Sequence, residues 1–133
     1  LKLLLDTHVL LWWFSDDDRL GMPVRGLIGD PDTDVLVSVV SLWEIAVKMR
    51  IGKLNVDLKD MLAAIALDSF LVLDIRPAHL LQLAGLPTLH RDPFDHLLTA
   101  QAIVENAVFV SEDRNIARYP ARSMRCSAGI APG

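Results

Sequence analysis

An α/β fold built on a parallel sheet is predicted by three observations. Short apolar runs bounded by turn signals alternate with helix-length amphipathic segments, the pattern of βαβ units. Four carboxylates, Asp6, Glu44, Asp95 and Asp113, each stand where an apolar run ends or a helix begins. In a parallel sheet the strand C-termini and the N-termini of the following helices share one edge, so residues distant in sequence meet there. Finally, 133 residues give one domain, enough for a core and too few for two ordinary ones.

Strands are expected at Lys2 to Leu5, Val35 to Val39, Phe70 to Ile75, Val108 to Val110 and Arg122 to Arg125. Helices fall between them. Trp12, Trp13 and Phe14 end an apolar run and are expected to fill the core or an interface sooner than stack on bases, although aromatics near a cleft could do the latter. Asp16-Asp17-Asp18 reads as a solvated turn, without the spaced oxygens and glycine of a calcium loop. Gly29-Asp30-Pro31-Asp32 and Gly85-Leu86-Pro87 mark two further turns. Leu58, Met61, Leu62, Ile65 and Ala66 keep helical spacing, as do Phe94, Leu97, Leu98, Gln101 and Ala102 with one polar exception. Residues 127–133 read as a frayed tail, which leaves 1–126 as the domain.

Each acid has a structural explanation to be weighed first. Ser41-Leu42-Trp43-Glu44 has the spacing of a capping box, and Glu44 stands four residues before Lys48, the favourable order for an ion pair. Asp92-Pro93-Phe94-Asp95 gives an acidic N-cap, proline at N1 and an acid at N3. Asp57 and Asp60 show the same spacing and are assigned no chemistry. What raises the four is their joint topology. Two carboxylates about 4 Å apart repel by roughly 4 kcal/mol at an effective dielectric near 20, so four in one cleft must take up protons or hold a cation. Oxygen-only ligands favour Mg²⁺ or Mn²⁺. His8, His79, His90 and His96 show no zinc-type spacing with Cys126, and Asp74, at the end of the third strand, is a lesser contender for the site.

Composition bounds the rest. The chain is 52% hydrophobic, yet runs such as Val9 to Phe14 fall far short of the roughly 18 residues of a membrane span, so the excess is expected to cover an interface. A lone cysteine suits a reducing compartment, Leu1 to Leu5 does not read as a secretory leader, and the cytoplasm is expected. A net charge of −4 gives no basic footprint for nucleic acid, so a phosphate-bearing substrate would rely on metal and on local Lys or Arg.

The stretches "LLLDTHVLLWW", "SVVSLWEIAVKMRIGKL", "HRDPFDHLLTAQA" and "VSEDRNI", in order from Leu1 to about Arg125, resemble the PIN-domain ribonucleases, specifically VapC-type toxins of toxin–antitoxin pairs. The resemblance implies a PIN-like three-layer α/β fold, with a central five-stranded parallel sheet flanked by helices. It implies a Mg²⁺- or Mn²⁺-dependent endoribonuclease with Asp6, Glu44, Asp95 and Asp113 as catalytic and metal-binding acids. It also implies an antitoxin that occupies the cleft, and a homodimer. Thr7 and Ser111 are expected to orient the ligand carboxylates. Lys48, Arg50, Lys53, Arg91 and Arg114 are candidate RNA-backbone contacts. Ser111 stands where many relatives have threonine and His96 where arginine is common.

Two rivals belong to other classes. A magnesium-binding phosphoacceptor domain fits less well, because Asp6 is followed by Thr7 and no lysine occurs after Lys59. A PIN fold kept only for binding is opposed by the presence of all four acids.

Overall fold

The computed structural model describes residues 1–88 and 92–126. In chain order these form β1 (Lys2–Leu5), α1 (Thr7–Ser15), α2 (Met22–Ile28), β2 (Asp34–Ser38), α3 (Val39–Arg50), α4 (Leu58–Leu67), β3 (Leu71–Leu73), α5 (Pro77–Ala84), α6 (Pro93–Glu105), β4 (Val108–Val110) and β5 (Ser123–Met124). A 3₁₀ turn over Arg114–Arg118 links the last two strands. The five strands pair in the order β3-β2-β1-β4-β5, every pair parallel.

Side-chain alternation along the central strands builds a core on each face of the sheet. Leu3 and Leu5 of β1, with Val35 and Val37 of β2 and Val110 of β4, join Val9, Val24, Ile45 and Ile65 from the helices on one face. Leu4, Leu36 and Phe109 point the other way, against Leu97, Leu98 and Ala102 of α6. The result is three layers. Each fully buried leucine contributes about 1.5–3 kcal/mol of burial.

Most elements fall where the sequence places them, with the third and fifth strands shorter than expected. Asp57 caps α4 and Asp92 caps α6, each accepting from the next turn's backbone N–H groups. The capping box at Ser41 is a misreading. The strand ends at Ser38, whose hydroxyl accepts from Val40 N at 3.0 Å, and α3 starts at Val39. Ser41 and Glu44 therefore lie inside the helix. The tail, 127–133, lies outside the described residues. Among the described residues no helix is long and apolar enough to cross a membrane.

Candidate metal centre

The C-terminal edge of the sheet brings the four acids to one cleft of about 380 Å³. Asp6 follows β1 and caps α1, Glu44 rises from the second turn of α3, Asp95 sits at N3 of α6, and Asp113 follows β4 and caps the 3₁₀ turn. Asp6, Glu44 and Asp95 are buried, each residue only 4–8% exposed. Such burial is rare for carboxylates without compensating partners.

Protein donors fix most of their oxygens. Asp6 Oδ1 accepts from Thr7 N at 2.6 Å and its Oδ2 from the Ser111 hydroxyl at 2.7 Å. Glu44 Oε1 accepts from the Thr7 hydroxyl at 2.7 Å, and its Oε2 pairs with Lys48 Nζ at 2.7 Å. The Thr7 hydroxyl also lies 3.0 Å from that of Ser41. Asp113 Oδ1 accepts from Asn115 N at 2.9 Å, while Asp113 N donates to the Ser111 hydroxyl at 3.1 Å. One serine thus ties Asp113 to Asp6. At α6 the Thr99 hydroxyl returns to the Asp95 carbonyl at 2.7 Å.

The cluster carries more negative charge than its cations balance. Burial, followed by the charges of Asp6, Asp92, Asp113 and Glu44, pushes the Asp95 carboxyl up to about 9. Burial raises Asp6 as well, against the opposing hydrogen bond of Ser111. Lys48 is held in its charged form by its hydrogen bond to Glu44. Among the described residues, no three His, Cys, Asp or Glu side chains are arranged so that they could hold a metal ion. The bonds to Thr7, Lys48 and Ser111 aim the Asp6 and Glu44 oxygens at protein donors. The donor set itself, hard oxygens with uncompensated charge, fits a small divalent cation.

Sequence reasoning missed part of the cleft. Asp92, read only as a cap, lines it, as do Glu112, His8, Trp12 and Arg19. Glu112 lies in the stretch "VSEDRNI" beside Asp113 but drew no role from it, and only position in the fold marks Arg19. Asp74 is exposed beyond β3 and does not line the cleft. Of the candidate RNA contacts, Lys48 borders the site through Glu44, Arg50, Lys53 and Arg114 are exposed, and Arg91 lies outside the described residues.

Residues 3–122 match the family model described as the PIN domain. No curated protein matches the chain. Among solved structures, the fold is similar to VapBC2 from Rickettsia felis bound to a DNA fragment from its promoter, with a TM-score of 0.72 at 17% identity over 94% of this chain and 98% of that one. It is also similar to VapBC-1 from nontypeable Haemophilus influenzae, with a TM-score of 0.69 at 16% identity over 96% and 99%. VapBC-5 from Mycobacterium tuberculosis, a member of the VapBC family of toxin–antitoxin systems, gives 0.61 at 19% identity over 93% and 96%. At these identities the likeness concerns the fold.

Proposed function

The chain belongs to the PIN-domain family, and from that premise we propose that it is a metal-dependent endoribonuclease acting as the toxin of a toxin–antitoxin pair. The observation that carries this reading is the convergence of three buried carboxylates and Asp113 on one cleft at the sheet's C-terminal edge.

Asp6, Glu44 and Asp95 would hold Mg²⁺ or Mn²⁺, with Asp113 supporting a second ion or orienting water. When bound, the ion lowers the pKa of water and offsets charge on the scissile phosphate. The chain's own residues prepare that site. Thr7 and Ser111 fix the rotamers of Glu44 and Asp6, and Lys48 balances part of the charge by pairing with Glu44 Oε2. Hydrolysis with these roles leaves a 5′-phosphate and a 3′-hydroxyl.

The antitoxin partner is supported by the VapBC neighbours and by an apolar groove of about 610 Å³ that adjoins the cleft along Leu11, Trp12, Phe14, Val56 and Met61. A homodimer is supported by the exposed apolar side chains of Leu71, Val72 and Ile75 at the β3 edge and of Leu80 and Leu81 on α5.

The test is cleavage of single-stranded RNA by purified protein with and without chelator. Cleavage that needs Mg²⁺ or Mn²⁺ is the expected result, and chelator-resistant cleavage overturns it. Toxicity on expression should disappear when the antitoxin is co-expressed.

A further inference from the structure

We infer that Trp12 and Arg19 form a stacking platform for an RNA base at the mouth of the acidic cleft. The inference rests on the ribonuclease reading and names the side chains that would hold the nucleotide there.

Among the described residues lining the cleft, only His8 and Arg19 can carry positive charge. Arg19 is held as a plane. Its Cζ lies 4.7 Å from the Trp12 ring centroid, in cation–π contact. Its Nε donates to Asp17 Oδ1 at 3.0 Å and its Nη2 to Asp17 Oδ2 at 2.6 Å, so the carboxylate grips one edge of the guanidinium. The loop beneath is fixed in turn, with Arg25 Nη1 bonded to Asp16 Oδ1 at 2.8 Å and Arg25 Nη2 to the Asp17 carbonyl. Trp12 stands on α1, two turns from Asp6, and packs partly against the core.

A guanidinium has two faces and an edge. The indole takes one face and Asp17 the edge, yet the Arg19 side chain remains 66% exposed. A flat cation is therefore presented at the cleft, already immobilised. Unstacked bases of single-stranded RNA settle on such planes, and stacking tolerates any base because each has a π-face. Because Asp17 offsets the charge, the plane and not the charge is what Arg19 supplies. This sets it apart from a phosphate contact, which lysine could replace.

The probes are a fluorescein-labelled single-stranded RNA of mixed sequence and an abasic strand of equal length. Binding is followed by anisotropy on the full chain carrying Asp95→Asn, with Arg19, R19K or R19A. Arg19 is exposed, and unchanged melting temperatures verify that the variants fold. R19K and R19A should each weaken the base-bearing RNA by about ten-fold and leave the abasic strand unchanged. In the otherwise unchanged protein, R19K should raise KM for the same RNA with kcat retained. R19K binding as tightly as Arg19, or equal weakening of both strands, overturns the platform alone. Failure of the base-bearing RNA to bind even with Arg19 overturns the ribonuclease reading together with it.

Discussion

The Thr7 hydroxyl donates to Glu44 Oε1 at 2.7 Å, joining the first turn of α1 to the second turn of α3 across 37 residues. The bond is buried, and Lys48 takes the other Glu44 oxygen. Removing the hydroxyl while keeping the shape, by Thr7→Val, leaves Oε1 without its donor. Partners that orient metal ligands are commonly worth ten-fold or more in metal affinity or activity. Thr7→Val should therefore lower both by about ten-fold, and Thr7→Ser should restore most of the loss. Titration with Mn²⁺ and an RNA cleavage assay measure the two effects.

Glu44→Gln separates ligation from a purely structural role. The helix starts at Val39, so no capping function is at stake. The amide can still accept from Thr7, and the lost partner, Lys48, is 36% exposed, which keeps the stability change within about 1 kcal/mol. A ligand that loses its charge sacrifices transition-state stabilisation, so cleavage should fall by about a hundred-fold or more. Asp60→Asn, at N3 of α4, should leave activity intact. Full activity of Glu44→Gln at saturating metal would remove Glu44 from the site.

Repulsion within the acidic cluster should be visible without any substrate. A divalent cation relieves it, so Mg²⁺ should raise the melting temperature of the chelator-treated protein. Asp95→Asn removes one member of the cluster. That variant should melt no lower than the wild type in chelator and gain less from Mg²⁺. Scanning fluorimetry in the two buffers decides the matter, and equal gains by both proteins would count against Asp95 as a ligand.

Gln101, on α6, should behave as a core residue despite its polarity. Its Oε1 accepts from the Ser38 hydroxyl at 2.5 Å, and its Nε2 lies 3.3 Å from both the Asp74 carbonyl and His79 Nδ1. Gln101→Leu has nearly the same volume but strands these buried groups, at a cost of about 2 kcal/mol. Urea unfolding measures it.

Glu105, at the end of α6, supplies a pH dependence. Burial raises its carboxyl, but the hydrogen bond with His79 and the charge of Arg76 prevail and hold it below 4.5. A depressed acid stabilises the fold above its unfolded pKa and loses that contribution as pH falls through the folded value. Glu105→Gln should therefore be destabilising at neutral pH, with the gap to wild type closing below about pH 4. Thermal melts across that range check the sign.

The sheet was legible because its signals are local. Leu3, Leu4 and Leu5 form an apolar run ending in an acid, and the Asp92-Pro93-Phe94-Asp95 cap is self-contained. The convergence of Asp6, Glu44, Asp95 and Asp113 followed from parallel topology, which fixes the edge where strand ends gather. The start of α3 was not legible, because Val39 and Val40 prolong a β-branched run that reads as strand, and the Ser41 to Glu44 spacing then imitates a cap. Gln101 seemed a polar exception because its partners, Ser38 and His79, lie on other elements. Arg19 sits in an acidic turn that sequence alone marks as solvated, and only the fold lays it over Trp12.

The placement of β4 beside β1 has a consequence for biosynthesis. The strand that follows Asp6 in the sheet is the fourth to leave the ribosome, paired through Leu3, Leu4 and Leu5 to Val108, Phe109 and Val110. A nascent chain that has exposed only β1 to β3 holds Asp6 and Glu44 but lacks Asp95 and Asp113. It also lacks Ser111, which orients Asp6. No nascent chain that stops short of Asp113 carries the whole set of acids, so the proposed cutting activity stays silent toward the message and the translation machinery until synthesis of the domain is nearly finished.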